Sequence, residues 1–128
     1  MLVGIGVDVL EVARVRRELA RHGARFGVSA FTPAEVAACE QTPDPAARYA
    51  ECFAAKEAAW KAVGMAPPDI GGWTQAEIAA DEDGFPTLVL HGLLGQAARE
   101  RGASTLALTF SHTRDHAIAC VVAASRGA

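Results

Sequence analysis

The stretch from Asp44 to Gly64, DPAARYAECFAAKEAAWKAVG, constrains the fold most, because it carries strong helix signals together with its own boundaries. Asp44 reads as the N-cap, Pro45 as the first helical residue and Gly64 as the stop, so a helix of roughly 19 residues is predicted. Its last third is alanine-rich but interrupted by Lys56, Glu57 and Lys61. Glu57 and Lys61 stand four apart and share a face, with Lys56 about one residue's rotation away. Taken alone, they read as an ordinary charge pair on a solvated helix face.

Shorter elements are predicted around this helix. The run LVGIGVDV suits a buried strand from about Leu2 to Val9. From Glu11 the period changes: Val12, Val15 and Leu19 share one helical face, Arg14, Arg17, Glu18 and Arg21 lie largely away from it, and Gly23 supplies the stop. In FTPAEVAACE, Thr32 reads as an N-cap, Pro33 as the first helical residue and Glu35 as the reciprocal partner of a capping box. MAPPDIGGW reads as a loop, TQAEIAA and PTLVL as strands flanking the turn DEDGFP, and LGQAARERG as a short helix ended by Gly102. STLALTFS and HAIACVVAA make two further strands around HTRD. The expected fold class is α+β, an antiparallel sheet with helices against one side. With 128 residues, 51% of them hydrophobic, one domain over 1–128 is expected.

Charge and cysteine usage narrow the function. A formal net charge of −3 leaves no excess of cations for a phosphate backbone, which argues against a nucleic-acid partner. Three scattered cysteines without CxxC spacing suggest neither a disulfide framework nor a zinc site, and Cys52 and Cys120 read as small core hydrophobes. The apolar run before Asp8 is too short to span a bilayer, so a soluble cytoplasmic protein without membrane contact is expected.

Two features suggest chemistry. Asp8 follows the strand VGIGV, where a carboxylate is out of pattern and unfavourable to bury without a cation or hydrogen bonds. Together with Glu57 it could supply a magnesium site, since that ion takes few protein carboxylates and completes its shell with water and substrate phosphate. Two acids alone are a weak signal. The segment GIG is no dinucleotide fingerprint, because no third glycine opens a helix. Ser111 and His112 fall where a strand ends and the chain turns, a position that can present a hydroxyl and an imidazole to a ligand, although His112 taken alone reads first as a turn histidine satisfied by backbone. His22, His91 and His116 read as ordinary surface or strand residues.

In order and spacing, GIGVDVLEVARVRR, FTPAE, FAAKEAAWKAVG, DGFP and SHTRDHAIACVV closely resemble the holo-acyl-carrier-protein synthases, the short type of 4′-phosphopantetheinyl transferase. The resemblance covers nearly the whole chain. It implies that Asp8 and Glu57 hold magnesium against the pyrophosphate of coenzyme A, that Lys61 and His112 contact the phosphate region with Ser111 nearby, and that Lys56 and Arg48 are among the coenzyme contacts. It further implies attack by a serine of an apo carrier protein on the β-phosphate, with release of 3′,5′-ADP. Glu57 is the expected proton acceptor, directly or through a metal-bound water, and His112 the competing base, read as a phosphate contact because no carboxylate partner is evident for it. Carrier proteins of this system are acidic, so Arg14, Arg17 and Arg21 become a docking strip, and a homotrimer is implied. This chain departs from the family pattern in two places: Cys52 stands where arginine commonly precedes the motif phenylalanine, and Phe85 stands between Gly84 and Pro86 where a cation is usual. Two alternatives remain at this point: a magnesium enzyme acting on another nucleotide diphosphate, and a non-catalytic module binding coenzyme A or a carrier protein.

Overall fold

The computed structural model describes residues 1–27, 29–67 and 72–126. In chain order these form β1 (Leu2–Glu11), α1 (Val12–His22), a 3-10 turn (Gly23–Arg25), α2 (Pro33–Glu40), α3 (Pro45–Val63), a second 3-10 turn (Trp73–Gln75), β2 (Ala76–Ala80), β3 (Pro86–Leu90), α4 (Gly92–Glu100), β4 (Thr105–His112) and β5 (His116–Ala124). The centre of the predicted loop MAPPDIGGW, residues 68–71, lies outside the described residues.

Local signals act where the sequence places them. Thr32 Oγ1 accepts from the Glu35 backbone N–H while Glu35 accepts from the Thr32 N–H, completing the capping box. Gly64 ends α3 in the left-handed conformation that favours glycine. Asp44 precedes Pro45 as expected, yet its side chain does not cap. Its two oxygens accept from Arg16 of α1 at 3.1 Å each, which ties the two helices together.

The strands divide into two antiparallel sheets rather than one: β1–β5–β4, and the separate hairpin β2–β3. Helix α3 lies enclosed between them, and its alanines pack on Ala119, Val121 and Ala123 of β5 and on Leu94 of α4. A second cluster joins Val12 and Val15 of α1, Phe31, Cys39 of α2 and Tyr49 and Cys52 of α3. A helix enclosed on nearly every side must be apolar nearly all round, which is why its alanine content exceeds what one buried face requires.

The glycines of β1 explain how closely the strand meets this helix. A Cβ on Gly4 would overlap the Ala62 carbonyl oxygen, and one on Gly6 would overlap that of Ala58. Only glycine lets the strand backbone lie on the helix backbone in this way. Gly4, Gly6 and Asp8 alternate onto the same inward face of β1, so the approach that requires the glycines also brings Asp8 to α3. Gly6→Ala is expected to lower stability by about 2–3 kcal/mol, because the obstructing atom belongs to a helix backbone that cannot rotate aside. A thermal melt should show a midpoint roughly 10 °C lower. An unchanged midpoint would contradict the close approach.

Candidate functional site

Asp8, near the middle of β1, meets the side chains of Glu57 and Lys61 from α3. Lys61 Nζ lies 3.2 Å from Asp8 Oδ1 and donates to the Val7 carbonyl, also at 3.2 Å. The Glu57 carboxyl is pushed up to about 7, first by burial and then by Asp8 within hydrogen-bonding reach, while Lys61 and Arg14 pull it the other way. Lys61 is therefore no simple surface partner of Glu57. It reaches across to the strand.

Two neighbouring carboxylates with hard oxygen donors, one half-buried and repelled by the other, suit magnesium, which takes one or two carboxylates and leaves the rest of its shell to water and phosphate. Among the described residues no three His, Cys, Asp or Glu side chains group closely enough to form a larger metal cluster. The donor set thus fits an ion that shares its coordination with a substrate.

Lys56 is placed elsewhere, which corrects its reading as a coenzyme contact. It is 0% exposed. Its ammonium donates to Glu35 at 2.8 Å, to the Ala76 carbonyl at 2.6 Å and to the Trp73 carbonyl at 3.5 Å, so its three hydrogens are all taken. Burial lowers its pKa and the Glu35 partner opposes that shift. Glu35 also accepts from the Ile78 N–H, so the pair joins α2, α3 and the β2–β3 hairpin. The neighbouring residue on the helix, one rotation away, faces the site instead.

A second group lies across the sheet. His112 Nδ1 is 3.3 Å from Glu51 Oε2, and Arg48 Nε is 3.4 Å from Glu51 Oε1. The Arg48 guanidinium sits 5.3 Å from the centre of the Phe110 ring. Glu51, 5% exposed, is the site residue that sequence reasoning missed. The available signal was a glutamate three residues after Arg48 inside an alanine-rich helix, and it gives His112 the carboxylate partner that the sequence did not reveal. Ser111 alternates to the other face of β4 from Phe110 and His112, so it is not beside the imidazole.

The register sets the distance between the two groups. Asp8 and Phe110 both pair with Ala119 of β5, on opposite sides, so they are two strand spacings apart, about 10 Å. A long ligand could touch both ends. Two cavities flank these groups. One of about 490 Å³ runs from Glu57 and Phe53 along α1, past Arg14 and Arg25. The other, of about 300 Å³, lies between α2, α3 and the hairpin and is lined by Arg48, Cys52, Gly84, Pro86 and Phe110. Arg14, Arg17 and Arg21 are exposed along α1, and Arg21 lies 3.9 Å from Glu18. Among the described residues no helix is long and apolar enough to cross a membrane.

Residues 4–121 match the family model of the 4′-phosphopantetheinyl transferase superfamily. The chain is 38% identical to the holo-[acyl-carrier-protein] synthase of Koribacter versatilis, over 95% of this chain and 98% of that protein. It is 42% identical to that of Anaeromyxobacter dehalogenans, over 99% of each. Its fold superposes on the crystal structure of the Neisseria meningitidis holo-[acyl-carrier-protein] synthase with a TM-score of 0.84 at 32% identity, covering 98% of this chain and all of that one. The Bacillus anthracis synthase, solved in complex with CoA (3′,5′-ADP), gives a TM-score of 0.77 at 28% identity, covering 98% of this chain and 99% of that one.

Proposed function

The chain belongs to the 4′-phosphopantetheinyl transferase superfamily and is an enzyme of the holo-[acyl-carrier-protein] synthase kind, and from that premise we propose its full reaction: magnesium-dependent transfer of 4′-phosphopantetheine from coenzyme A to a serine of an apo carrier protein, releasing 3′,5′-ADP. The observation that carries this reading is the meeting of Asp8, Glu57 and Lys61 between β1 and α3. In the reading, the whole chain acts as one transferase domain.

The barrier lies in bringing an alcohol to an anionic diphosphate. Asp8 and Glu57 would hold magnesium, whose charge neutralises that diphosphate when the ion is bound. Lys61 adds a mobile positive charge beside Asp8 and contacts the phosphate that is attacked. Glu57 takes the proton of the carrier serine. Burial and the neighbouring Asp8 raise its pKa in the metal-free protein, a shift that magnesium at the same carboxylates would oppose, so the role of acceptor rests on its position beside Asp8 and Lys61. His112 stays a phosphate contact, now for a different reason: it is not isolated, since Glu51 lies 3.3 Å from it, but within one chain it sits two strands across from β1 and two residues further along than Phe110, the residue level with Asp8. Arg48 serves the same end of the coenzyme, beside the cavity that reaches Gly84 and Pro86.

The carrier protein is assigned to the other side. The cleft along α1 begins at Glu57 and carries Arg14, His22 and Arg25 besides Glu18, with Arg17 and Arg21 exposed on the same helix, which suits an acidic helix arriving with its serine toward Glu57. Arg14→Glu or Arg21→Glu should therefore raise the apparent KM for the carrier, mainly through slower association, while coenzyme A affinity hardly moves. The wild-type rate should fall as salt rises. If neither salt nor substitution changes carrier affinity, the docking strip lies elsewhere. Ile5, Val7, Val9 and Ile118 form an exposed apolar patch on the outer face of the three-stranded sheet, which supports the homotrimer as the working form. Sedimentation equilibrium tests that part: a monomer at micromolar concentration removes it.

Incubating the protein with magnesium, coenzyme A and an apo carrier protein, then weighing the carrier by mass spectrometry, tests the reaction itself. A gain of one phosphopantetheine supports it. Consumed coenzyme with unchanged carrier would mean hydrolysis, and binding without consumption would mean a module without catalysis.

A further inference from the structure

Two buried cysteines take no part in the reaction outlined above. Cys39, near the end of α2, and Cys52, in the middle of α3, are 0% and 4% exposed, and their sulfurs lie 3.9 Å apart. Both border the cavity of about 300 Å³ that also holds Arg48, and of the pair only Cys52 keeps any exposure. Cys120 is remote from them, on the outward-alternating positions of β5 with Ile118.

The two sulfurs are chemically unequal. Hydrogen bonding to Cys52 and then burial raise the Cys39 thiol well above its ordinary value, and either sulfur can donate in the contact between them. Cys52 keeps the small exposed fraction that Cys39 lacks, and Arg48 stands one helical turn before it on α3. Closure to a disulfide requires a sulfur separation of about 2.05 Å, so the sulfurs must approach by roughly 2 Å. Helix α2 is short and is joined to α3 one turn away by the Glu35–Lys56 pair, which keeps the two cysteines side by side while that approach is made.

We propose that Cys39 and Cys52 form a redox modification site at which a small hydroperoxide converts the two thiols to an intrachain disulfide. The Cys52 thiolate attacks one peroxide oxygen and the O–O bond breaks. The other oxygen takes up a proton and leaves as water, or as an alcohol from an organic peroxide, and Cys52 becomes a sulfenic acid. The Cys39 sulfur then attacks the Cys52 sulfur, the S–S bond forms, the S–O bond breaks, and the departing hydroxide leaves as water with the Cys39 proton. Two thiols are oxidised by two electrons and one peroxide is reduced. Drawing α2 against α3 narrows the cavity beside Arg48, so the disulfide form binds coenzyme A several-fold more weakly. This consequence rests on the coenzyme reading given above.

The full chain is exposed to hydrogen peroxide under native conditions, denatured, alkylated with iodoacetamide and mapped by peptide mass. Protection of Cys39 and Cys52 with Cys120 alkylated, reversed by dithiothreitol, is the expected pattern. In Cys39→Ser the sulfenic acid at Cys52 should persist and be trapped by dimedone; in Cys52→Ser the protection of Cys39 should vanish. Alkylation of all three cysteines after peroxide, or a crosslink through Cys120, overturns the site. Calorimetric titration of coenzyme A with magnesium into reduced and oxidised protein tests the consequence: equal affinities overturn it. Failure of the reduced protein to bind coenzyme A overturns the coenzyme reading instead, while the alkylation map still decides the thiol pair.

Discussion

Asp8→Asn is expected to leave the fold intact and to lower phosphopantetheine transfer by about a thousandfold or more. The substitution keeps the shape of the side chain and removes its charge. If Asp8 is one of two protein ligands to magnesium, the variant loses several kcal/mol of charge stabilisation at the diphosphate, which corresponds to at least three orders of magnitude in rate. Stability should move little, because in the metal-free protein Asp8 and Glu57 repel one another, and the Lys61 contact, which the Asn Oδ1 can still accept without its charge, is partly exposed and contributes weakly. Glu57→Gln should behave alike in turnover. A second readout separates a metal ligand from a residue that merely shapes the site: magnesium should raise the thermal midpoint of the wild type and fail to raise that of either variant. Wild-type-like turnover in either variant would sink the assignment of the pair.

What could be read beforehand depended on how far each interaction reaches along the chain. The capping box of Thr32 and Glu35 and the stops at Gly23 and Gly64 are decided within a few residues, so they were legible. Asp44 marks the limit of that method: its place before Pro45 was right, but its carboxylate goes to Arg16, 28 residues away. The separation of the strands into two sheets is likewise a matter of pairing at a distance. For GIG the residues excluded one function without revealing their own purpose, which becomes visible only with Ala58 and Ala62 lying against them. In the candidate site, Asp8, Glu57, Lys61 and His112 were named largely through family resemblance, since each alone has an ordinary reading. Glu51 was missed because an isolated helical glutamate carries no mark of the strand that will pass beside it. The direction that separates Lys56 from Glu57 was visible as a rotation, but which direction faces the hairpin was not.

That rotation supports the sharpest contrast in expected outcomes, between two lysines on one helix. Lys56→Met should destabilise the protein by about 3–5 kcal/mol, the usual effect of removing one partner of a buried ion pair. The Glu35 carboxylate would remain buried with only backbone N–H groups to face it, and the carbonyls of Ala76 and Trp73 would lose their donor. A loss of that size takes a large share of a domain's total stability, and the midpoint should fall by 10 °C or more, on the order of 10–20 °C. Adding Glu35→Gln should recover part of it, because the uncompensated charge disappears even though the capping geometry is kept. Lys61→Met should do the reverse: a midpoint within a few degrees of wild type, and turnover lower by about two orders of magnitude at saturating coenzyme A. Lys61→Arg should rescue this only in part, since a planar guanidinium keeps the charge but cannot take the place of a compact ammonium between a carboxylate and a phosphate. The two variants test one geometric claim from both sides, because a helix rotated to bury Lys61 against Glu35 and to present Lys56 to the ligand would exchange the results. If Lys56→Met melts like wild type, or Lys61→Met transfers like wild type, the placement of that lysine is wrong whichever residue the other experiment supports.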